Sequence, residues 1–438
     1  MKMDDMVIIS VDDHISEPPD LFDRILSGRE LATAPKLRST NEGKDYWEYQ
    51  GIKLPTVGLN AVVGRVPEEY GIEPTAMSQL RPGNYDVDAR IGDMNINGMA
   101  ASLNFGSCLV MDGRMCHNAK DKDLALVHLR AWNDWHLYEW CNAHPGRFIP
   151  CALLPTWDME ATVAEIERLA RNGVCAVTIN DNPTTLGLPS IHDAYWEPFF
   201  KAIADHDMTI CLHIGTGNPA PMPTMNTPIE AYITTMPMAI SVSAADWLNM
   251  AALEKYPTLK IALSEGGIGW IPYFLERADF VHEHHKAWTH SGFRNTRPSE
   301  VFRRHFLTCF IDDAFGLLNL KHIGEDLVAY ECDYPHSDSV WPNAPEVLWN
   351  SIRILSDEQI DKVTHKNAMR FFNFDPFEHH TRETLTVRSL RAQAAAAKVD
   401  TTLLSAGGVA TPLAPGEALR PVTTGDMARM LASVAMPG

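Results

Sequence analysis

Eight short apolar runs punctuate this chain, and stretches with helical periodicity separate them. The runs are residues 7–14 (VIISVDDH), 100–106 (AASLNFG), 148–155 (FIPCALLP), 174–180 (VCAVTIN), 209–215 (TICLHIG), 260–267 (KIALSEGG), 306–313 (FLTCFIDD) and 327–336 (LVAYECDYPH). They are continuously apolar rather than alternating, which is the pattern of parallel strands covered on both faces. Between them, residues 123–144, 159–173, 192–207, 243–257, 271–288 and 357–374 read as helices. Residues 159–173 start acidic and stop at Gly173, in keeping with the helix dipole and a glycine stop. Strand–helix alternation with eight strands predicts an α/β fold, a (β/α)8 TIM barrel. An open doubly wound sheet would call for a Gly-rich phosphate turn after the first strand, and the sequence has none there.

Two segments fall outside the repeat. Residues from about 20 to about 90 are far too long for an ordinary connection, and their DYWEYQGIKLP stretch predicts a small ordered cap over the barrel mouth. From about residue 380 the composition shifts to Ala, Thr, Pro and Gly. The expected organisation is a barrel domain over 1–380 with the cap inserted after its first strand. A tail over 381–438 follows, either loose or clasping a neighbouring subunit, with DMARMLASVAM as a short amphipathic helix.

The chain has 438 residues and a net charge of −19. Nucleic acid and anionic membrane are therefore not expected as partners, because both select basic surfaces. An anionic substrate would need local positive charge, such as a metal. The N-terminal MKMDDMV carries acids where a secretory signal carries bases, and no run of about 18 apolar residues suggests a membrane span. The eight cysteines form no CxxC pair, and several sit in strand-like runs as small hydrophobes. A reduced, cytoplasmic protein is the expectation.

The first run ends on Asp12, Asp13 and His14. In a strand, i and i+2 share a side, so Asp12 and His14 project together and Asp13 points away. Strand ends line the mouth of a barrel, where active sites lie. The fifth run supplies His213, the sixth Glu265 and the eighth Asp333, followed closely by His336. Two imidazoles and two carboxylates (Asp12, His14, His213, Asp333) suit a divalent transition metal, Zn, Fe or Mn. A metal would also account for carboxylates in a buried strand, which are costly unless paired or ligated. Glu265 is the candidate general base, or a ligand to a second ion, and His336 a candidate proton donor or substrate contact.

Asp12-x-His14 with Glu17-Pro18, the strand-end His213, SEGGIGWIPYFLERAD (264–279) and CDYPHSDSVWP (332–342) resemble the amidohydrolase-related family, in particular its aminocarboxymuconate semialdehyde decarboxylase group. RIGDMNINGM (90–99) and NAMRFFNF (367–374) extend the similarity over roughly residues 7–376. The resemblance implies a metal on Asp12, His14, His213 and Asp333, and a homodimer. It implies a catalytic histidine at the end of the sixth strand of the decarboxylases, where this chain has Glu265. That departure shifts the expectation to a hydrolase in which metal-activated water attacks a carbonyl substrate such as a ring-cleavage product, ester or thioester. The alternative is a metal-dependent, non-oxidative decarboxylase of an aromatic or unsaturated acid. The fourth run lacks the lysine that the wider superfamily carbamylates, so a binuclear site of that type is not expected, although a second ion on Glu265 remains open.

Other residues carry blander expectations. Glu17 is read as a loop brace, with a direct role at the site as the alternative. The VHEHH cluster (281–285) is not HExxH, because Lys286 stands at the second histidine position; it reads as solvated surface. Asp312 and Asp313 are given no role. Asn180 and Asn182 are expected in turns or against substrate. Met222, Met225, Met236 and Met238 could wall a bulky substrate or simply pack.

Overall fold

The computed structural model describes residues 1–71, 75–293, 295–405, 413–414 and 416–435. Its strands are β1 (Ile8–His14), β2 (Lys36–Ser39), β3 (Asp45–Tyr49), β4 (Ile52–Leu54), β5 (Met99–Phe105), β6 (Phe148–Ile149), β7 (Cys151–Leu153), β8 (Ala176–Ile179), β9 (Thr209–His213), β10 (Lys260–Ser264), β11 (Phe306–Phe310) and β12 (Val328–Tyr330). β1, β5 and β6 pair in that order, and β7 to β12 follow one another in a second run; every pair in both runs is parallel. The break between β6 and β7 falls at Pro150, which has no N–H for the ladder.

The circle closes between β12 and β1 through the segment after β12. Cys332 N–H donates to Ser10 Oγ at 2.8 Å, Asp333 N–H to the Asp12 carbonyl at 2.9 Å, and His14 N–H to the Tyr334 carbonyl at 2.6 Å. The chain is thus a (β/α)8 barrel, as the eight apolar runs predict. The expected ends of two runs need correcting. β10 stops at Ser264 and β12 at Tyr330, so Glu265 and Asp333 lie just past their strands, both with φ in the left-handed region (58° and 53°).

The barrel interior is filled by Ile9, Val11, Ala101, Leu103, Cys151, Ala176, Cys211, Ala262, Leu307 and Ala329, with Phe371 and Phe372 among them. Small residues on neighbouring strands leave room for the larger ones, as a closed barrel requires. A larger apolar layer lies between strands and helices. Some of those helices start on side-chain caps: Asp121 accepts from Leu124 N–H before Lys122–Trp135, and Asp158 from Ala161 N–H before Met159–Arg171. The helix predicted over 123–144 is not uniform; from His136 to Cys141 it widens into a π turn. The wide turn lets Trp140 reach inward, where its Nε1–H donates to Asn104 Oδ1 at 2.8 Å.

The insertion after β1 has two parts. β2, β3 and β4 form an antiparallel sheet with Trp47 and Tyr49 buried beneath it. The following stretch reaches the loop after β12: Val63 N–H donates to the Pro335 carbonyl at 3.0 Å and Asn60 Nδ2 to Ser337 Oγ at 2.7 Å. After residue 380 the helix Val387–Ala396 lies against the base of the barrel, where Leu385 and Leu390 pack with Val7 and Ala100. Of the stretch AGGVATPLAPGEALRP, residues 406–412 and 415 lie outside the described residues. The expected terminal helix spans Thr424–Ala435, and Met436 also lies outside.

Candidate metal centre

β1 brings Asp12 and His14 to the barrel mouth together, and Asp13 turns away to accept from Ser10 Oγ at 2.9 Å. His14 Nε2 lies 3.3 Å from Asp12 Oδ1 and 3.3 Å from Asp333 Oδ1. His213 Nε2 lies 3.4 Å from Asp12 Oδ2 and 3.3 Å from Glu265 Oε2. His336 Nδ1 lies 2.8 Å from Asp333 Oδ1, and its ring sits 3.9 Å from that of His14. The structure therefore gathers all six side chains singled out in the sequence. Their donor atoms fall into two overlapping groups, Asp12–His14–His213 and His14–Glu265–Asp333–His336, each with its ligand atoms within 4.8 Å of one another.

These atoms are close without being hydrogen-bonded. Both oxygens of Asp12 and Asp333, both ring nitrogens of His14, and Nε2 of His213 and His336 are buried with no hydrogen-bond partner. Buried polar groups are normally satisfied, so eight such atoms facing one another call for a missing partner. A divalent cation fits that donor set of carboxylate oxygens and imidazole nitrogens. His213 is pre-oriented for it: its Nδ1–H donates to the Ile214 carbonyl at 2.7 Å, which leaves the Nε2 lone pair for the centre.

The electrostatics reflect the same crowding. Burial pushes the Glu265 carboxyl well above the ordinary range, and the charge of Asp333 pushes it further. Burial alone would raise Asp333 and Asp12 too, but nearby histidines (His336 and His14 for Asp333, His213 and His14 for Asp12) hold both below the usual carboxylate range. Burial would lower His213, but Asp12 outweighs it and the imidazolium is pushed up to about 10.

Residues without an assigned role in the sequence support the centre from behind. Arg90 is fully buried; its Nε–H donates to the Gly83 carbonyl at 2.6 Å, and Nη2 donates to the carbonyl of His14. Asp93 binds Arg81 in a two-point contact (2.8 and 2.7 Å) and accepts from Tyr334 Oη at 2.6 Å, which fixes the loop carrying Asp333. Glu331 accepts from Glu265 N–H at 3.0 Å and from Cys309 Sγ at 2.6 Å, and burial pushes its carboxyl up to about 8. RIGDMN marked the region of Arg90 and Asp93, but no local pattern announces a buried clamp.

Glu17 stands outside the cluster as a brace, accepting from Ser107 N–H, Cys108 N–H and Trp132 Nε1–H. Asp313 caps the helix Ala314–Leu318, and Asp312 accepts from Ser351 Oγ at 2.6 Å. Asn180 Nδ2 donates to Asp112 Oδ2 at 2.8 Å, so it serves a turn network. His284 and Glu283 are exposed on the helix Ile271–Thr289, and no metal-ligating group occurs there among the described residues.

A cavity of about 390 Å3 opens among the loops that follow β5, β8 and β9, and none of the six clustered side chains lines it. Gly215–Ala220, the segment that follows His213, lines it together with Arg114, Thr185, Tyr232 and Met236. Of the four methionines considered, only Met236 lines it.

Known proteins share this architecture. The chain is 23% identical over 351 residues to gamma-resorcylate decarboxylase of Rhizobium sp. (strain MTP-10005), covering 72% of this chain and 94% of that enzyme. An amidohydrolase structure from Mycobacterium avium subsp. paratuberculosis K-10 superposes with TM-score 0.66 at 17% identity, over 84% of this chain and 99% of that one. A dihydroxybenzoic acid decarboxylase from Polaromonas sp. JS666, with bound manganese and the inhibitor 2-nitroresorcinol, superposes with TM-score 0.55 at 18% identity, over 86% and 98%. The amidohydrolase family model matches residues 110–374, more than half of the chain and the part that carries His213, Glu265, Asp333 and His336; this protein belongs to the amidohydrolase family.

Proposed function

We propose that the chain is a metal-dependent, non-oxidative decarboxylase of an aromatic or unsaturated carboxylic acid. The similarity to gamma-resorcylate decarboxylase along 94% of that enzyme carries the choice of reaction over the hydrolysis expected from Glu265. The buried, unpartnered atoms of Asp12, His14, His213 and Asp333 support a divalent metal at the mouth. When bound, such an ion would hold substrate oxygens and draw electron density from the reacting group. Manganese in the Polaromonas relative makes Mn2+ the first ion to test, with zinc and iron next.

The chain's own part is positional and protonic. In decarboxylation the bond from the ring carbon to the carboxylate breaks, CO2 leaves, and a proton takes its place on carbon. Glu265 stands at the cluster with a carboxyl that burial keeps protonated more readily than usual, so it is the proton donor in this reading. His336, with Nδ1 against Asp333 and its ring tilted over that of His14, holds the Asp333 carboxylate in place and contacts substrate in this reading. Phe105, 5.1 Å from the His213 ring, gives an apolar wall beside an aromatic substrate.

One observation favours a second reading. A carboxylate at Glu265, facing His213, also suits a general base that takes a proton from attacking water, or a ligand to a second ion. Incubation of the Mn2+-loaded protein with 2,6-dihydroxybenzoate and related acids separates the two. Released CO2 supports decarboxylation; 18O incorporated from water into a cleaved ester or ring-cleavage product, with no CO2, supports hydrolysis. The expected setting is a cytoplasmic homodimer acting on a small carboxylate.

A further inference from the structure

We infer that the C-terminal segment is a strap that holds the lid of the mouth cavity and thereby sets how tightly substrate is enclosed. The lid is the stretch after β9, residues 218–238, which contributes Asn218, Pro219, Ala220, Tyr232 and Met236 to the cavity. Much of it is exposed, including Met222, Met225 and Ile233, so it has little packing of its own.

What it does have is a backbone partner far along the chain. Ile229 N–H donates to the Val422 carbonyl at 2.9 Å, Thr424 N–H to the Thr227 carbonyl at 3.0 Å, and Gly425 N–H to the Met225 carbonyl at 2.8 Å. Pro228 and Thr423 form an antiparallel bridge between the same segments. The helix Thr424–Ala435 then rests against both the lid helix Ile229–Thr235 and cap strand β3, so the strap bridges the lid and the cap.

The strap is itself fastened at one buried residue. Asp426 accepts from Arg420 Nη1 at 2.7 Å and Nη2 at 2.9 Å, from Thr423 N–H and Oγ at 2.8 Å each, and from Arg429. Gly425 keeps the crossing close: a Cβ there would sit 3.0 Å from the Met225 carbonyl oxygen, so the strap and lid backbones would have to move apart. The residues that donate to Asp426 (Arg420, Thr423 and Arg429) lie outside the cavity lining, so its effect on the site runs through the lid. It is a positioning residue, not a catalytic one. The strap lies beyond the matched region 110–374, so this is a feature of the chain and not of the family core.

The role of the lid in enclosing substrate rests on the proposed decarboxylase reading, but the strap itself is testable without it. Full-length protein is compared with Gly425→Val, Asp426→Ala and a chain ending at residue 419. Hydrogen exchange is read at 218–238, with the barrel strands as internal control. The three backbone bonds predict about tenfold or faster exchange in the lid of every variant, with the strands unchanged. Asp426→Glu should recover part of the protection. In parallel, Mn2+-loaded protein is titrated with 2-nitroresorcinol and assayed with 2,6-dihydroxybenzoate. Weaker binding and raised KM at near-constant kcat support the strap. Lid exchange equal to wild type in Gly425→Val and in the truncated chain overturns it. Faster lid exchange with no probe binding even in wild type upholds the strap and overturns the substrate reading alone.

Discussion

Two buried acidic sites lie within a few residues of each other at the end of β1, and they are built on opposite terms. Glu17 is fully buried, yet its carboxylate accepts from Trp132 Nε1–H at 2.7 Å, Cys108 N–H at 2.8 Å and Ser107 N–H at 3.0 Å. Asp12 and Asp333 are equally buried, and none of their oxygens has a hydrogen-bond donor. A buried charge supplied with donors is a structural joint. A buried charge crowded among other unpartnered ligand atoms is a site whose partner comes from outside the chain. Gly106 shows how closely the first site is fitted, because a Cβ there would fall 2.6 Å from Glu17 Oε1 and 2.4 Å from the Trp132 ring.

The largest way to test the contrast is to remove a carboxylate from the unpaired site. Asp333→Asn should cut Mn2+ affinity by more than the roughly 10–100-fold typical of outer partners, abolish turnover and lose the metal-induced rise in melting temperature. Metal titration and calorimetry on the same samples check both halves. Next, Glu265→Gln should lower kcat by about 10²–10⁴-fold while the first ion stays bound; full activity would remove Glu265 from the chemistry. On the structural side, Glu17→Gln should cost about 2–4 kcal/mol of stability by placing N–H against N–H, with metal content unchanged in the folded fraction.

The smallest effect is in pH dependence. In the metal-free protein His213 is held up to about 10 against an ordinary 6.5. Its contact with Asp12 therefore stabilises fully below pH 6.5 and fades as pH rises through about 10. A cation needs the neutral imidazole, so Mn2+ binding should strengthen as pH rises and release protons when it occurs. Metal-free melting temperature should drift down over that interval, and the metal-induced increment should grow.

Much of the rim was legible because it obeys a local rule. The i, i+2 alternation of a strand separated Asp12 and His14 from Asp13, and continuous apolar runs announced the barrel. Glu265 and Asp333 were found as strand-end acids, although both lie past their strands in left-handed backbone, a non-glycine conformation with a cost of about 1–2 kcal/mol. Such strain at the mouth is not written in composition or periodicity. Arg90, Asp93 and Glu331 went without a role because each acts through contacts distant in sequence, such as Tyr334 to Asp93. The composition of the tail does not choose between a loose segment and one that clasps a subunit. Its backbone pairing with 225–229 depends on a lid whose path no local pattern encodes.

Metal content of natively purified protein, measured beside Asp333→Asn and Glu17→Gln, decides whether the rim is a metal centre. At least one equivalent of a divalent transition metal is expected in wild type and in Glu17→Gln, with a near-complete loss in Asp333→Asn. Wild type that neither retains Mn2+, Zn2+ or Fe2+ nor takes one up on addition would contradict it.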